Sequence, residues 1–157
     1  MQHHKFLRPL VSVALCSTLG IGLLGAANDA ANTADSQFTQ QAMQLLLQSV
    51  SNANTAQADG SDGVKTLATN VQGDEVNIGT QLASLASFYG INVSTNAPKP
   101  NCTASDYAAD QAKALSQLVV LFQAEQTGGG GAQLRTFAAQ ELPVLQKDLA
   151  AAQKAQS

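Results

Sequence analysis

Apolar residues recur at three- and four-residue steps in four separate segments of this chain, and the two-residue alternation of a half-buried strand never takes over. Phe38, Ala42, Leu45, Leu46 and Val50 mark the first segment, which Asp35 or Ser36 can cap and which continues weakly to about Ala58. Val64, Leu67, Ala68, Val71, Ile78, Leu82, Leu85 and Tyr89 mark the second. Tyr107, Ala114, Leu118, Leu121 and Phe122 mark the third, ending near Glu125, and Leu134, Phe137, Ala138, Leu142, Leu145, Leu149 and Ala152 mark the fourth. Turn chemistry separates them. Asp59 to Gly63 supplies glycine and short acceptor side chains for a tight bend, and Gly128 to Gly131 reads as a bare flexible link. The stretch from Gly90 to Ser105, with Pro98 and Pro100, cannot be helical and must cross the bundle surface. Pro143 predicts a bend in the fourth segment. Helices with one apolar stripe each can bury those stripes only against one another. The pattern therefore predicts an all-α fold, an antiparallel four-helix bundle over residues 36–154 with a long crossover between helices two and three.

The start of the chain reads as a secretory leader over residues 1–27. Lys5 and Arg8, without any acid, precede an apolar run from Leu10 to Leu24 that Ser, Thr and Gly interrupt. That run is shorter than the roughly 20 apolar residues of a membrane span. Gly25 and Ala27 place small residues before a cut that starts the mature chain near Asn28, with residues 28–35 as a small, polar lead-in. An uncleaved anchor is the other reading of the leader. A lipoprotein based on Cys16 is excluded, because Leu15 stands where a small residue belongs. The expected location is periplasmic or secreted, with association to the outer membrane left open and no membrane span after cleavage.

Loss of the leader takes Lys5 and Arg8 out of the eight basic residues and leaves six against eleven acids, a net charge near −5. Such a surface repels nucleic acid, and no Lys/Arg cluster reverses it locally. Both histidines and Cys16 leave with the leader. Cys102 is then the sole thiol, which forbids an intramolecular disulfide and leaves an intermolecular one, with another exported chain, as its option.

Chemistry is bounded by the same loss. Without a histidine base there is no Ser-His-acid triad and nothing to activate Cys102. The glycine run has no preceding strand and no following lysine, so it is not a phosphate loop. The expected protein is not an enzyme and has no cofactor. One position stands out: stepping four residues on from Val71 and three back from Ile78 both reach Glu75, a carboxylate on the apolar seam. Gly73 and Gly79 bracket it, which suggests close approach of another helix or local looseness. Glu75, Asp148 and Glu141, with Asp110 nearby, form an oxygen-only ligand set suited to Mg²⁺, Ca²⁺ or Mn²⁺. The simpler reading leaves the Glu75 head in water at the seam edge, Asp148 solvated beside Leu149, and no metal bound.

Phe38 to Ala42, Val64-Lys65-Thr66-Leu67-Ala68, Tyr107, Leu121-Phe122, Leu134-Arg135-Thr136-Phe137-Ala138-Ala139 and Leu142-Pro143-Val144-Leu145 occur in an order and spacing that resembles the secreted bacterial family called domain of unknown function 4142. The resemblance covers roughly Phe38 to Ala152 and implies a ferritin-like bundle. Where typical members carry histidines, this chain has Glu75, a position at or near Leu115, and Asp148; an acid often seen in the first helix falls around Ser49 or Ser51. The expectation is an exported, non-enzymatic helical-bundle protein of the periplasm or cell envelope, acting through a surface on a protein partner or ligand. The alternative is a carboxylate-only divalent-metal-binding or stress-related ferritin-like bundle.

Overall fold

A computed structural model describes residues 31–157; the leader, its cleavage point and positions 28–30 lie outside the described residues. Four helices follow in order: α1 (Thr33–Asp59), α2 (Asp62–Phe88), α3 (Tyr107–Gly128) and α4 (Ala132–Lys154). No strand occurs among the described residues. α1 packs against α2 and α3, and α4 packs against α3 and α2, so the four enclose one core. The all-α bundle expected from the four stripes is the fold found.

α1 starts earlier than its apolar residues indicate. Asn32 is the N-cap: its side chain accepts from the Asp35 amide at 3.0 Å, and the Asp35 carboxylate accepts from the Asn32 amide at 2.6 Å. This reciprocal box satisfies two amides that a helix start leaves free. Asn32 to Asp35, assigned from sequence to the lead-in, thus belong to the structured domain.

Phe122 sits at the centre of the aromatic packing, edge-on to Phe38 at 5.1 Å and tilted against Phe137 at 5.6 Å. Such ring pairs add about 0.5–1.5 kcal/mol each beyond burial of their area. Around them lie Leu46 of α1, Ile78 and Leu82 of α2, Leu115 and Leu118 of α3, and Leu134 and Leu145 of α4, all buried. The buried stripe of α3 differs from the expected one. It runs through Tyr107, Gln111, Leu115, Leu118, Phe122 and Glu125, leaving Ala114 and Leu121 half-buried. Gln111 and Glu125 interrupt its apolar character, and the adjacent Ala114 and Leu121 mimic a stripe one residue away. Gly73 and Gly79 show no close helix approach either, since a Cβ at each would meet open space.

Pro143 lies within α4 on its exposed side. The partner that proline denies is the carbonyl of Ala139, which is also exposed, so water can take the missing donor's place. The crossover from α2 to α3 is fastened along α1 by side chains. Gln40 donates to the Asn92 carbonyl, Gln48 to that of Lys99 and Ser51 to that of Pro98, while Asn52 exchanges two hydrogen bonds with Asn101. These bonds satisfy a backbone that has no ladder or helix of its own. No helix among the described residues is long and apolar enough to cross a membrane.

Candidate functional site

The carboxyl group of Glu75 is wholly buried, not at a wetted seam edge. α1 brings Ser49 to it and α3 brings Gln111: the Ser49 hydroxyl lies 2.6 Å from Glu75 Oε1, and Gln111 Nε2 donates to the same oxygen at 2.7 Å. Ser49 Oγ is also 2.6 Å from Gln111 Oε1. A serine has one proton to give, and these contacts ask it to serve two acceptors. The count closes when Glu75 is protonated, with Glu75 donating to Ser49, Ser49 to Gln111, and the Gln111 amide back to Glu75. Burial, the largest influence, pushes the Glu75 carboxyl up to about 8 against the opposing bonds from Ser49 and Gln111, and Asp148 and Asp74 raise it further. At neutral pH this group is mostly a carboxylic acid.

Asp148 of α4 is likewise buried, because the heptad-like steps from Leu145 through Asp148 to Ala152 carry it to the core side of the helix. Burial raises its carboxyl to about 6, and Lys147 opposes the rise. Lys147 Nζ lies 3.4 Å from Asp148 Oδ1 and 2.7 Å from Asp74 Oδ2, closing the α2–α4 seam from the solvent side. Tyr107 of α3 completes the cluster; burial first, then Glu75, pushes its phenol well above the usual range. Three oxygens here have no hydrogen-bond partner: Glu75 Oε2, Tyr107 Oη and Asp148 Oδ2.

Glu141 is half-buried one turn before Leu145 and accepts from Gln81 Nε2 at 3.2 Å. Asp110 turns instead toward Cys102 at the end of the crossover. Burial, then Asp110, pushes the half-buried Cys102 thiol up to about 11, the opposite of nucleophile activation. Among the described residues, no three His, Cys, Asp or Glu side chains converge as a metal centre needs. The buried donors therefore do not fit a ferritin-like di-iron cage of glutamates and paired imidazoles.

A second polar site went unnoticed in the sequence. Asp35, fully buried, accepts from the Gly130 amide at 2.7 Å and the Gly131 amide at 3.1 Å. The glycine run is thus an anion cradle whose anion is the chain's own carboxylate, and not a bare link. Burial acts to raise the Asp35 carboxyl, but the amides of Asn32, Gly130 and Gly131 hold it below its usual range. Arg135 donates to the carbonyls of Gly129 and Gly130 at 2.8 and 2.7 Å, fixing the other side of the turn. A Cβ at Gly129 would overlap Glu125 Oε1, and one at Gly130 would stand 2.5 Å from Asn32 Nδ2. Only glycine fits this close approach. No local signal ties residue 35 to residue 130.

An open groove of about 990 Å³ lies between α1, the crossover and α3. Gln41, Gln44, Gln48 and Gln117 alternate there with Leu45, Leu47, Val120 and Leu121, beside Ser94 and Asn96 of the crossover; no lining residue is ionisable. Val120 is 64% exposed on its wall.

The family model described as a domain of unknown function (DUF4142) matches residues 23–155. No curated protein and no solved structure matches the chain.

Proposed function

The chain belongs to the DUF4142 family, and within it we propose an exported, non-enzymatic helical-bundle protein of the periplasm or cell envelope that binds an uncharged ligand or partner segment in the groove between α1, the crossover and α3. One observation carries this reading: on a chain of acidic balance, the groove between α1, the crossover and α3 is lined without a single ionisable side chain. Glutamine amides offer both donors and acceptors, and the exposed Val120 offers apolar area, so a neutral, hydrogen-bonding occupant loses the least on desolvation. Neither Glu75 nor Asp148 lines this groove, and no imidazole accompanies them among the described residues. A photo-crosslinking residue at position 120, with a control at exposed Gln153, tests it in envelope extracts. A discrete adduct from position 120 alone supports the reading; equal labelling from both sites overturns it.

A second reading, a single divalent cation held by carboxylates without histidine, is favoured by the unpartnered Glu75 Oε2, Asp148 Oδ2 and Tyr107 Oη. Metal content of the purified, untagged protein decides it. Stoichiometric Mg²⁺, Ca²⁺ or Mn²⁺ that is lost in Glu75→Ala supports this reading, and metal-free protein refutes it.

A further inference from the structure

The crossover is held against α1 at two points, where Gln40 Nε2 donates to the Asn92 carbonyl at 3.2 Å and the Ser51 hydroxyl donates to the Pro98 carbonyl at 2.6 Å. α1 advances about 16 Å between Gln40 and Ser51, at about 1.5 Å per residue, and the crossover spans the same stretch from Asn92 to Pro98. Its rise is thus about 3 Å per residue, that of an extended chain. No turn or bend interrupts residues 91–100. Side chains alternate accordingly: Ser94, Asn96 and Pro98 line the groove beside α3, whereas Thr95 lines a second hollow of about 730 Å³ between α1 and α2. Backbone groups alternate too. The carbonyls of Asn92 and Pro98 face α1, so those of Val93, Thr95 and Ala97 face away from it. The amides and carbonyls of these three residues have no hydrogen-bond partner among the described residues, and Thr95 and Ala97 are exposed. They form a strand edge without a neighbour, its free groups recurring about every 7 Å.

We propose, resting on the groove as the binding surface, that its occupant is an extended, uncharged polypeptide segment that pairs as a strand with Val93, Thr95 and Ala97 and sends alternate side chains to the two hollows. Another extended backbone carries donors and acceptors at the repeat this edge presents, so pairing supplies affinity while the hollows select side chains. Charge is selected against on both sides. The groove has no ionisable lining residue, and the hollow has only Glu75, whose carboxyl is wholly buried and bonded to Ser49 and Gln111. A charged side chain would lose water there without gaining a counter-charge. Toward α3, Gln44, Gln117 and Val120 suit amide or apolar side chains. Toward α2, Val76 and Ala83 suit apolar ones, and Gly79 leaves room, since a Cβ there would meet open space. The bonds from Gln40, Gln48, Ser51 and Asn52 already hold the crossover straight, so docking demands little further ordering of it.

Heptapeptides built only from uncharged residues, displayed on phage and selected on the purified, untagged protein, provide the probe. A selected peptide, synthesised with both ends blocked, is titrated by calorimetry. N-methylation of its alternate amides, and Thr95→Pro in the protein, should each weaken binding at least ~10-fold, about what one or two such hydrogen bonds supply. Thr95→Val keeps the backbone donor and should leave affinity within about 2-fold, since the side chain does not carry the pairing. In the unaltered protein the peptide should slow hydrogen exchange at the Val93, Thr95 and Ala97 amides, a readout that stands even if Thr95→Pro does not fold. Undiminished binding of the N-methylated peptide, or unchanged exchange at these three amides, overturns the proposal. Binding that Val120→Asp abolishes and N-methylation spares keeps the groove as the site and removes the strand. Failure to select any peptide also overturns it, while crosslinking at position 120 still tests the groove by itself.

Discussion

Asp35 Oδ1 accepts a hydrogen bond from the Gly130 amide at 2.7 Å, joining residues 95 apart in sequence. One aspartate thereby caps its own helix and anchors the turn between two others. Asp35→Ala removes a capping acceptor and strands the Gly130 and Gly131 amides, a loss of about 2–4 kcal/mol in urea unfolding. A loss under ~1 kcal/mol would show that the anchor contributes little.

Glycines divide into two groups by the space beside them. Gly129→Ala drives a methyl into Glu125 and is expected to cost about 1–3 kcal/mol. Gly73→Ala, in open space within α2, is expected to gain about 0.5–1 kcal/mol. Thermal melts of the two variants should move in opposite directions. Equal shifts would contradict the cradle.

Glu75 makes stability depend on pH with a definite sign. Its folded carboxyl, at about 8, lies above the ordinary value of 4.5, so the folded state holds the proton more tightly. Its contribution is fully present below pH 4.5, declines as pH rises, and is gone once pH passes about 8. Asp148 adds a decline of the same sign between 3.8 and about 6. Glu75→Gln should flatten the pH 6–8 part of the urea-derived stability curve, since an amide cannot ionise and its oxygen can accept from both Ser49 and Gln111, at the loss of the bond from Ser49 to Gln111. An unchanged slope in that variant would show Glu75 ionised in the fold.

Tyr107 buries its hydroxyl without a partner. Tyr107→Phe therefore removes a desolvated polar group and nothing it bonds, and stability should hold or rise by up to ~2 kcal/mol. A loss above ~1 kcal/mol would show that the phenol has a bound partner, as the cation reading requires.

Much of the fold was legible because periodicity is a local property: Val71 and Ile78 place Glu75 on the seam whatever surrounds it, and it is buried there. Burial of Asp148 was harder to see, since Leu149 beside it supplies an equally good apolar step. In α3 the polar Gln111 and Glu125 lie on the buried stripe, so a reading that follows apolar residues slid to Ala114 and passed over Leu115. The glycine turn was opaque for another reason. Its meaning comes from Asp35, and nothing near residue 130 announces a carboxylate from the other end of the domain. The groove escaped notice too, because its glutamines look like ordinary solvated helix faces until the crossover is laid beside them.

The exposed uncharged groove, and not the buried acids, is where this protein is proposed to meet its partner. Capture from envelope extracts by the unaltered protein, Val120→Asp and Glu75→Gln tests this most directly. Loss of the captured species with Val120→Asp, and its retention by Glu75→Gln, is the expected result. Retention by Val120→Asp with loss in Glu75→Gln would move the function to the core and contradict the account.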